Sequence, residues 1–166
     1  MGFISGSGIG SAAPTGGSGI SRARLMRAVL AGAVALIALP GAAPVASLEL
    51  DVDQLRSAKG QLGICLTAEP ERFPKCTGEA RSARRWVKAS EAVVVFEGLP
   101  AGTYAVAIIH DENGNRKLDT ALGIPREGFG FSRNPTIGFG PPRFAAARFL
   151  LPESGSAQRV KMRYLL

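Results

Sequence analysis

The sequence has few of the residues from which catalytic and metal centres are usually built. Its 166 residues include one histidine, His110, and two cysteines, Cys65 and Cys76. A zinc site needs three or four nitrogen and sulfur ligands at defined spacings, and this set does not provide them. Because His110 is distant in sequence from both cysteines, nothing local indicates an activated cysteine nucleophile.

Several functional classes are disfavoured because their motifs are absent. The glycine patterns of Rossmann and P-loop folds do not occur in the sequence. No basic stripe is interleaved with aromatic residues, so we predict no nucleic-acid partner. Beyond residue 46 no apolar run is long enough to cross a bilayer, so we predict no transmembrane span in the mature chain.

The N-terminal residues are typical of an export signal. Residues 1–21 are rich in Gly, Ser and Ala and carry no charge, so we expect them to be disordered, or to precede a true start at Met26. Three arginines then precede an apolar run over 28–39, and small residues follow it. This pattern predicts a cleavable signal peptide over 22–46, and therefore an exported protein that is periplasmic or extracellular.

The remaining residues, 47–166, are enough for a single domain. They carry 17 basic and 13 acidic side chains, a net charge of +4, so attraction to anionic envelope polymers or lipid headgroups is expected. In an exported chain the closely spaced Cys65 and Cys76 predict a disulfide, with two unpaired buried thiols as the alternative.

Alternation of apolar and polar residues predicts an all-β domain. In residues 48–53, for example, apolar side chains alternate with acids, which is typical of a half-buried strand. The strongest runs lie at 48–53, 60–66, 92–96, 103–110 and 159–165. With turns between them, they predict an antiparallel, immunoglobulin-like β-sandwich of six to eight strands over residues 47–166.

Two connections between these runs have recognisable turn chemistry. The sequence GLPAG at 98–102 predicts a β-hairpin between the runs that flank it, because Pro100 fixes φ and Gly102 permits positive φ. Near the C terminus, RFAAARFLL at 143–151 combines alanines, which suit a helix, with a position that suits a strand. We predict a short turn that leads into a strand.

The stretch IIHDENGNRKLDT at 108–120 places oxygen-bearing side chains at alternate positions after a strand. Hard cations such as calcium are held by carboxylate, amide and backbone oxygens in loops of this kind. The predicted ligands are Asp111, Asn113, Asn115, Lys117 through its carbonyl, Asp119 and Glu127. The predicted affinity is weak, about 0.1–1 mM, as in extracellular calcium modules.

A turn without a metal is the alternative interpretation of this loop. Arg116 stands where a calcium loop needs glycine, and Leu122 stands where a closing glutamate is needed. Asn113 and Gly114 form an Asn-Gly pair, which favours turns with positive φ, and Asp and Asn side chains cap their own backbone. Both interpretations remain open at the level of sequence.

His110 ends the apolar face of a predicted strand, so a hydrogen-bonded structural histidine is expected. The catalytic alternative is a small hydrolase or transferase that uses His110 with Asp111 or Glu127. Against it, His110 and Asp111 are neighbours in a strand and should point to opposite faces.

The segment GIPREGFGFSRNP at 123–135 combines flexible glycines with two phenylalanines. Phe129 and Phe131 form either an exposed platform for a sugar or peptide, or an anchor that packs a long loop down, and packing is the favoured alternative. We expect the loops over 111–144 to lie at one end of the sandwich and to hold the binding region. The predicted binding residues are His110, Arg126, Phe129, Phe131 and Arg133.

The string FEGLPAGTYAVAIIHDENGNRKLDTALGIPREGFGFSRNP, followed by GPPRF, resembles the bacterial family known as domain of unknown function 2141. The resemblance extends from about residue 48 to the C terminus and implies export and a β-sandwich, without a reaction. It marks these positions as special: His110, Asp111, Asn113, Gly114, Asn115, Asp119, Pro125, Glu127, Gly128 and Phe131. The Leu-Pro-x-Gly-x-Tyr turn is similar to that of transthyretin-like and carboxypeptidase-regulatory-like sandwiches, and Asp-x-Asn-Gly-Asn is similar to calcium loops in bacterial surface-protein repeats.

The sequence therefore predicts an exported, non-catalytic β-sandwich. We expect it to bind an envelope component or a partner protein through residues 111–144, with a weak calcium site and no other cofactor. The alternatives are the hydrolase or transferase described above, and a purely structural envelope protein without a small ligand.

Overall fold

The computed structural model of the chain describes residues 45–76 and 82–166. The predicted N-terminal segment 1–21 and most of the predicted signal peptide lie outside the described residues. The first strand begins at Val45, so the last two residues of the predicted signal belong to that strand. Within the described residues, no helix is long and apolar enough to span a bilayer.

The described ranges contain ten strands, one helix of a single turn, and a 3₁₀ turn at Pro70–Arg72. In chain order the elements are β1 (Val45–Asp53), β2 (Gln61–Thr67), β3 (Ser82–Lys88), β4 (Val93–Pro100), β5 (Gly102–Asp111), β6 (Thr120–Ala121), β7 (Ile124–Pro125), β8 (Gly128–Phe131), α1 (Phe144–Ala147), β9 (Phe149–Leu151) and β10 (Ser156–Lys161). The helix α1 followed by β9 agrees with the turn and strand predicted for that segment.

The strands form two sheets that pack face to face, and one small hairpin. The small sheet has the order β10-β1-β4, and the large sheet has the order β3-β2-β5-β8, with β9 paired to the first residues of β5. The strands β6 and β7 pair only with each other. The predicted β-sandwich is confirmed, with one departure from antiparallel pairing, because β1 and β10 run parallel.

The predicted hairpin between β4 and β5 is wrong. β4 pairs with β1 in the small sheet, whereas β5 pairs with β2 and β8 in the large sheet. The turn therefore carries the chain from one sheet to the other, and the Tyr104 hydroxyl donates a hydrogen bond to the Pro100 carbonyl at this corner (2.9 Å). The apolar faces of both strands point into the core from opposite sheets, and an alternating pattern does not distinguish this arrangement from a hairpin.

The main core lies between the two sheets and contains the residues that alternation selected. Leu48, Leu50 and Val52 of β1 face Ile64, Val106 and Ile108 of the large sheet, and all six are buried in one cluster. Removal of this apolar area from water is the principal stabilising contribution in such a fold. We call this surface of the large sheet its inner face.

The opposite, outer face of the large sheet carries a second buried cluster. Its buried members are Cys65, Cys76, Ala105, Ala107, Phe129, Phe131 and Ala147. Cys65 and Cys76 form the predicted disulfide, with Cα atoms 5.5 Å apart. Phe73, Ile137 and Phe144 pack against this cluster from the loops. These loops therefore fold across the outer face, and the prediction that the whole 111–144 region lies at one end of the sandwich is wrong for its second half.

Candidate functional site

The Asp/Asn loop is organised around the carboxylate of Asp111, which is fully buried at the end of β5. Its Oδ1 accepts hydrogen bonds from the backbone N–H groups of Gly114 (2.8 Å) and Asn115 (3.1 Å). Its Oδ2 accepts from the backbone N–H of Arg116 (2.7 Å) and from the side-chain amide of Gln61 (2.8 Å). Gly114 and Arg116 have positive φ values of 80° and 60°, which wrap the chain around the carboxylate.

These contacts determine the ionisation of Asp111. Burial alone would raise its pKa, but the hydrogen bonds from Gln61 and from the three backbone N–H groups favour the charged form and outweigh burial. The pKa of Asp111 therefore lies below its ordinary value of 3.8. The loop contains its own anion, held by four donors, and is ordered by that anion.

The other carboxylates of the region are also used as internal acceptors. Asp119 accepts hydrogen bonds from the side-chain amides of Asn113 (2.6 Å) and Asn115 (3.0 Å). Glu127 is buried, and its two oxygens accept the backbone N–H groups of Glu112 (3.1 Å) and Asp119 (3.0 Å). Glu127 thus connects the beginning and the end of the loop. Because it lies outside the loop in sequence, the local sequence pattern does not indicate this role.

The fit of a calcium ion can be assessed from these hydrogen bonds. Five of the six predicted ligands belong to the loop over 111–119, and hydrogen bonds to Glu112 and Asp119 bring Glu127 beside it. However, N–H donors face all three of the predicted carboxylate ligands, and the amides of Asn113 and Asn115 turn their nitrogens toward Asp119. The described residues contain no group of three or more His, Cys, Asp or Glu side chains arranged to hold a metal. This geometry matches the self-capped turn, and the calcium site remains a prediction.

His110 is fully buried, and both of its ring nitrogens have partners. Nε2 lies 2.8 Å from the carbonyl oxygen of Lys59, and Nδ1 lies 2.7 Å from the hydroxyl of Tyr164. Since a carbonyl only accepts, Nε2 carries the proton, and Nδ1 accepts from the Tyr164 hydroxyl when the ring is neutral. Among the described hydrogen bonds none joins His110 to Asp111 or Glu127, and the partners of both carboxylates are the N–H donors given above.

Arg56 organises the surface next to this histidine. It forms an ion pair with Glu112, donates to the carbonyls of Arg126 (3.0 Å) and Leu166 (2.8 Å), and lies 4.5 Å from the centroid of the Tyr164 ring. The hydrogen bond from Arg56 lowers the pKa of Glu112. Sequence reasoning missed this cluster because its members are distant along the chain and belong to no local motif.

A groove of about 630 Å³ lies on the outer face of the large sheet. In its floor Trp86 of β3 lies over Gly63 of β2, and a Cβ at Gly63 would lie only 2.6 Å from the Trp86 ring. Ile109 of β5 is the other cross-strand neighbour of Gly63 and is half-buried. The absence of a side chain at Gly63 therefore leaves room for the Trp86 ring, which lines the groove.

The loops supply the walls of the groove. The lining residues from residue 111 onward are Arg116, Lys117, Leu118, Thr120, Gly123, Pro125, Phe129, Phe131, Ile137, Gly138, Gly140, Pro141 and Leu165. This volume lies within the range of about 300–1,000 Å³ that is typical of small-molecule sites. The groove is thus built from a flat sheet face and from loops that only partly cover it.

The charge around the groove has one sign. Four basic residues line it, namely Lys75, Arg84, Arg116 and Lys117, and none of the described lining residues is acidic. In the described ranges none of these four side chains forms a salt bridge with a carboxylate. Arg116 instead lies 5.9 Å from the centroid of the Trp86 ring, within the range of a cation–π contact.

The structure places the predicted binding residues in different environments. Phe129 and Phe131 are buried, with ring centroids 6.0 Å apart, so they pack down and contribute to the groove floor without forming an exposed platform. Arg126 lines a separate polar pocket together with Arg56, Glu112 and other residues. Arg133 is exposed and does not line the groove.

Two apolar residues escaped sequence reasoning although they flank the groove. Leu122 and Phe139 are fully exposed, with relative accessibilities of 103% and 112%. Their neighbours in sequence, Gly123, Gly138 and Gly140, line the groove, so both side chains stand at its rim. In the sequence, a large apolar residue beside glycine in a predicted loop was the feature that could have identified both positions.

The fold and these surfaces define a small β-sandwich module with an apolar, basic groove on one sheet and a self-capped loop beside it. A family model for uncharacterized proteins conserved in bacteria, DUF2141, matches residues 50–159, and the chain belongs to this family. No curated protein and no solved structure matches the chain.

Proposed function

We propose that this chain is an exported, non-catalytic binding module of the bacterial envelope. Its ligand site is the groove on the outer face of the large sheet, and its ligand is a single-chain lipid with an anionic head group. The observation that supports this proposal is the combination of an apolar floor with four cations at one groove, none of which forms a salt bridge with a carboxylate among the described residues.

The chemistry of the ligand follows from the lining. Trp86, Ile109 and the buried phenylalanines offer apolar surface, which favours an alkyl chain. The ionised Asp111 accepts the backbone N–H of Arg116, and the side-chain oxygen of Asn115 accepts that of Lys117, so the loop holds the backbone of both residues beside the groove. A carboxylate or phosphate head group would pair with them, whereas a cationic ligand would be repelled.

Trp86 provides a direct test, because it is the only tryptophan of the sequence and lines the groove. Titration with palmitate should change its fluorescence in a saturable way. Hexadecanol, which has the same chain without the charge, should bind several-fold more weakly because it makes no charged pairs. A linear, non-saturating response, or equal binding of the alcohol, would contradict the proposal.

Variants separate the two halves of the site. Ile109→Ala should weaken palmitate and hexadecanol equally, by roughly threefold to tenfold, because it removes apolar contact from both. The double change Arg116→Gln and Lys117→Gln should weaken palmitate alone. Leu150→Thr, at an exposed strand position that does not line the groove, is the matched control and should change neither affinity.

Export is tested by the N terminus of the mature protein. N-terminal sequencing of protein recovered from the periplasm or medium should give a first residue between Ala43 and Ser47, near the start of β1. Retention of the chain in the cytoplasm, with residues 28–39 still attached to the domain, would contradict this part of the proposal.

A further inference from the structure

Three large apolar side chains are exposed on two loops that border the groove. Leu122 and Ile124 belong to the β6–β7 hairpin, and Phe139 belongs to the loop that precedes α1. The glycines beside Leu122 and Phe139 line the same groove, so both loops border it. Isolated exposed apolar residues are common, but three on the loops that border one groove indicate a surface that meets an apolar environment.

Folding does not account for these residues. Leu122 has a φ of 50° at the tip of its hairpin, in the left-handed region where Asn or Gly is favoured and a γ-branched apolar residue is not. Phe139 buries none of its side chain, and it stands between two glycines. Each position exposes apolar area to water without a compensating contact among the described residues.

In the same loops the acidic side chains accept hydrogen bonds within the fold, whereas the basic side chains are exposed. The acidic residues of 111–144 are Asp111, Glu112, Asp119 and Glu127, and all four accept internal hydrogen bonds. The basic residues of the segment are Arg116, Lys117, Arg126, Arg133 and Arg143, and all five are exposed. The loops therefore present cations and apolar tips outward while their carboxylates are used within the fold.

We propose that these loops dock the domain onto an anionic lipid bilayer, with Leu122 and Phe139 inserted among the acyl chains and the groove-lining Arg116 and Lys117 at the headgroups. The inference goes beyond ligand binding in the groove, since it names a second partner and a different set of residues. Burial of a large apolar side chain contributes enough for at least a tenfold change in affinity, and each cation near an anionic surface for roughly fivefold. Docking by these loops would place the mouth of the groove at the surface from which a single-chain lipid is drawn.

Vesicle co-sedimentation tests the docking. Protein purified from the exported fraction is mixed with vesicles of phosphatidylcholine, with or without phosphatidylglycerol, so that every variant carries the same N terminus. We expect binding to phosphatidylglycerol vesicles that weakens with salt, and little binding to pure phosphatidylcholine.

Loop variants identify the inserting residues. Leu122→Asn suits the positive φ and should retain the fold, yet it should weaken vesicle binding by about tenfold or more, as should Phe139→Ser. Leu150→Thr, which replaces a side chain of 69% accessibility elsewhere on the surface, should bind vesicles like the wild type. Equal losses in all three variants, no loss in the loop variants, or equal binding to both vesicle types would overturn the proposal.

The two proposals fail separately. The loop variants should still bind palmitate with unchanged Trp86 fluorescence titrations, and Ile109→Ala should still bind vesicles. Vesicle binding without palmitate binding would support the docking surface and contradict the proposed groove ligand. Palmitate binding without vesicle binding would do the reverse.

Discussion

Ile108 and Ile109 are consecutive residues of β5 and face opposite sides of the large sheet. The side chain of Ile108 is buried in the main core, where the small sheet covers it completely. Ile109 is half-buried beside Trp86 and borders the open groove. The centre of the inner face is thus closed by the small sheet, whereas the outer face keeps apolar surface that folding leaves uncovered. Surface of the second kind is where a ligand can bind.

The largest expected difference comes from truncating these two isoleucines. Ile108→Ala should lower the free energy of unfolding by about 3–4 kcal/mol, because it leaves a cavity in a closed core. Ile109→Ala should lower it by only about 1 kcal/mol, because the groove already exposes part of that side chain. Urea unfolding of both variants measures the difference, and equal losses would show that the outer face is as closed as the inner one.

Removal of the disulfide measures how much this crosslink on the outer face contributes to the free energy of unfolding. Replacement of both Cys65 and Cys76 by alanine should lower the free energy of unfolding by about 3 kcal/mol, the loop-closure contribution of a crosslink of this size. The comparison is urea unfolding of the wild type with and without reductant, with the double variant as a control that reductant should not affect. Insensitivity of the wild type to reductant would contradict the pairing.

The Asp111 loop tests the polar side of the outer region. Asp111→Asn should cost about 2 kcal/mol at neutral pH, because a charged acceptor of four hydrogen bonds becomes a neutral amide with one acceptor oxygen. Since the pKa of folded Asp111 lies below 3.8, its stabilisation is complete above pH 3.8 and is lost as the pH falls below that value. The gap between wild type and variant should therefore narrow in acid. A gap that does not depend on pH would indicate loss of packing and not of charge.

The smallest expected effect concerns calcium. A site with a dissociation constant of about 0.1–1 mM would add roughly 1.4–2.7 kcal/mol of stability at about 10 mM calcium. Because N–H donors already satisfy the loop carboxylates, we expect the melting temperature to rise by less than about 2 °C. A larger rise that disappears in Asp119→Asn would show that the Asn113 and Asn115 amides rotate to admit the ion.

The sequence predicted the inner face much better than the outer one. Leu48, Leu50 and Val52 were assigned to the core correctly, because a strand with one buried face must alternate with a period of two. The same rule could not decide that β4 and β5 belong to different sheets, since their inward faces have the same pattern in either topology. It also could not find the Trp86 and Gly63 contact, which joins residues of neighbouring strands.

The site was predicted in part for a similar reason. Asp111, Asn113 and Asn115 form a local motif, so their spacing alone narrowed the loop to a self-capped turn or a calcium loop. The roles of Gln61, Glu127 and Arg56 could not, because each acts on residues that only the folded chain brings close. The charge of the groove is likewise a property of four residues from three separate segments.

By itself the sequence indicated a β-rich domain with an apolar core, a cysteine pair spaced for a disulfide, and a polar loop that is either self-capped or calcium-binding, because these depend on local alternation and on short spacings. Only the tertiary structure decided that the chain crosses between sheets at Pro100, that the loops leave a basic groove over Trp86, and that Leu122 and Phe139 stand at its rim. Side chains distant in sequence create a surface only when packing places them together, and no local pattern records which of them will remain uncovered.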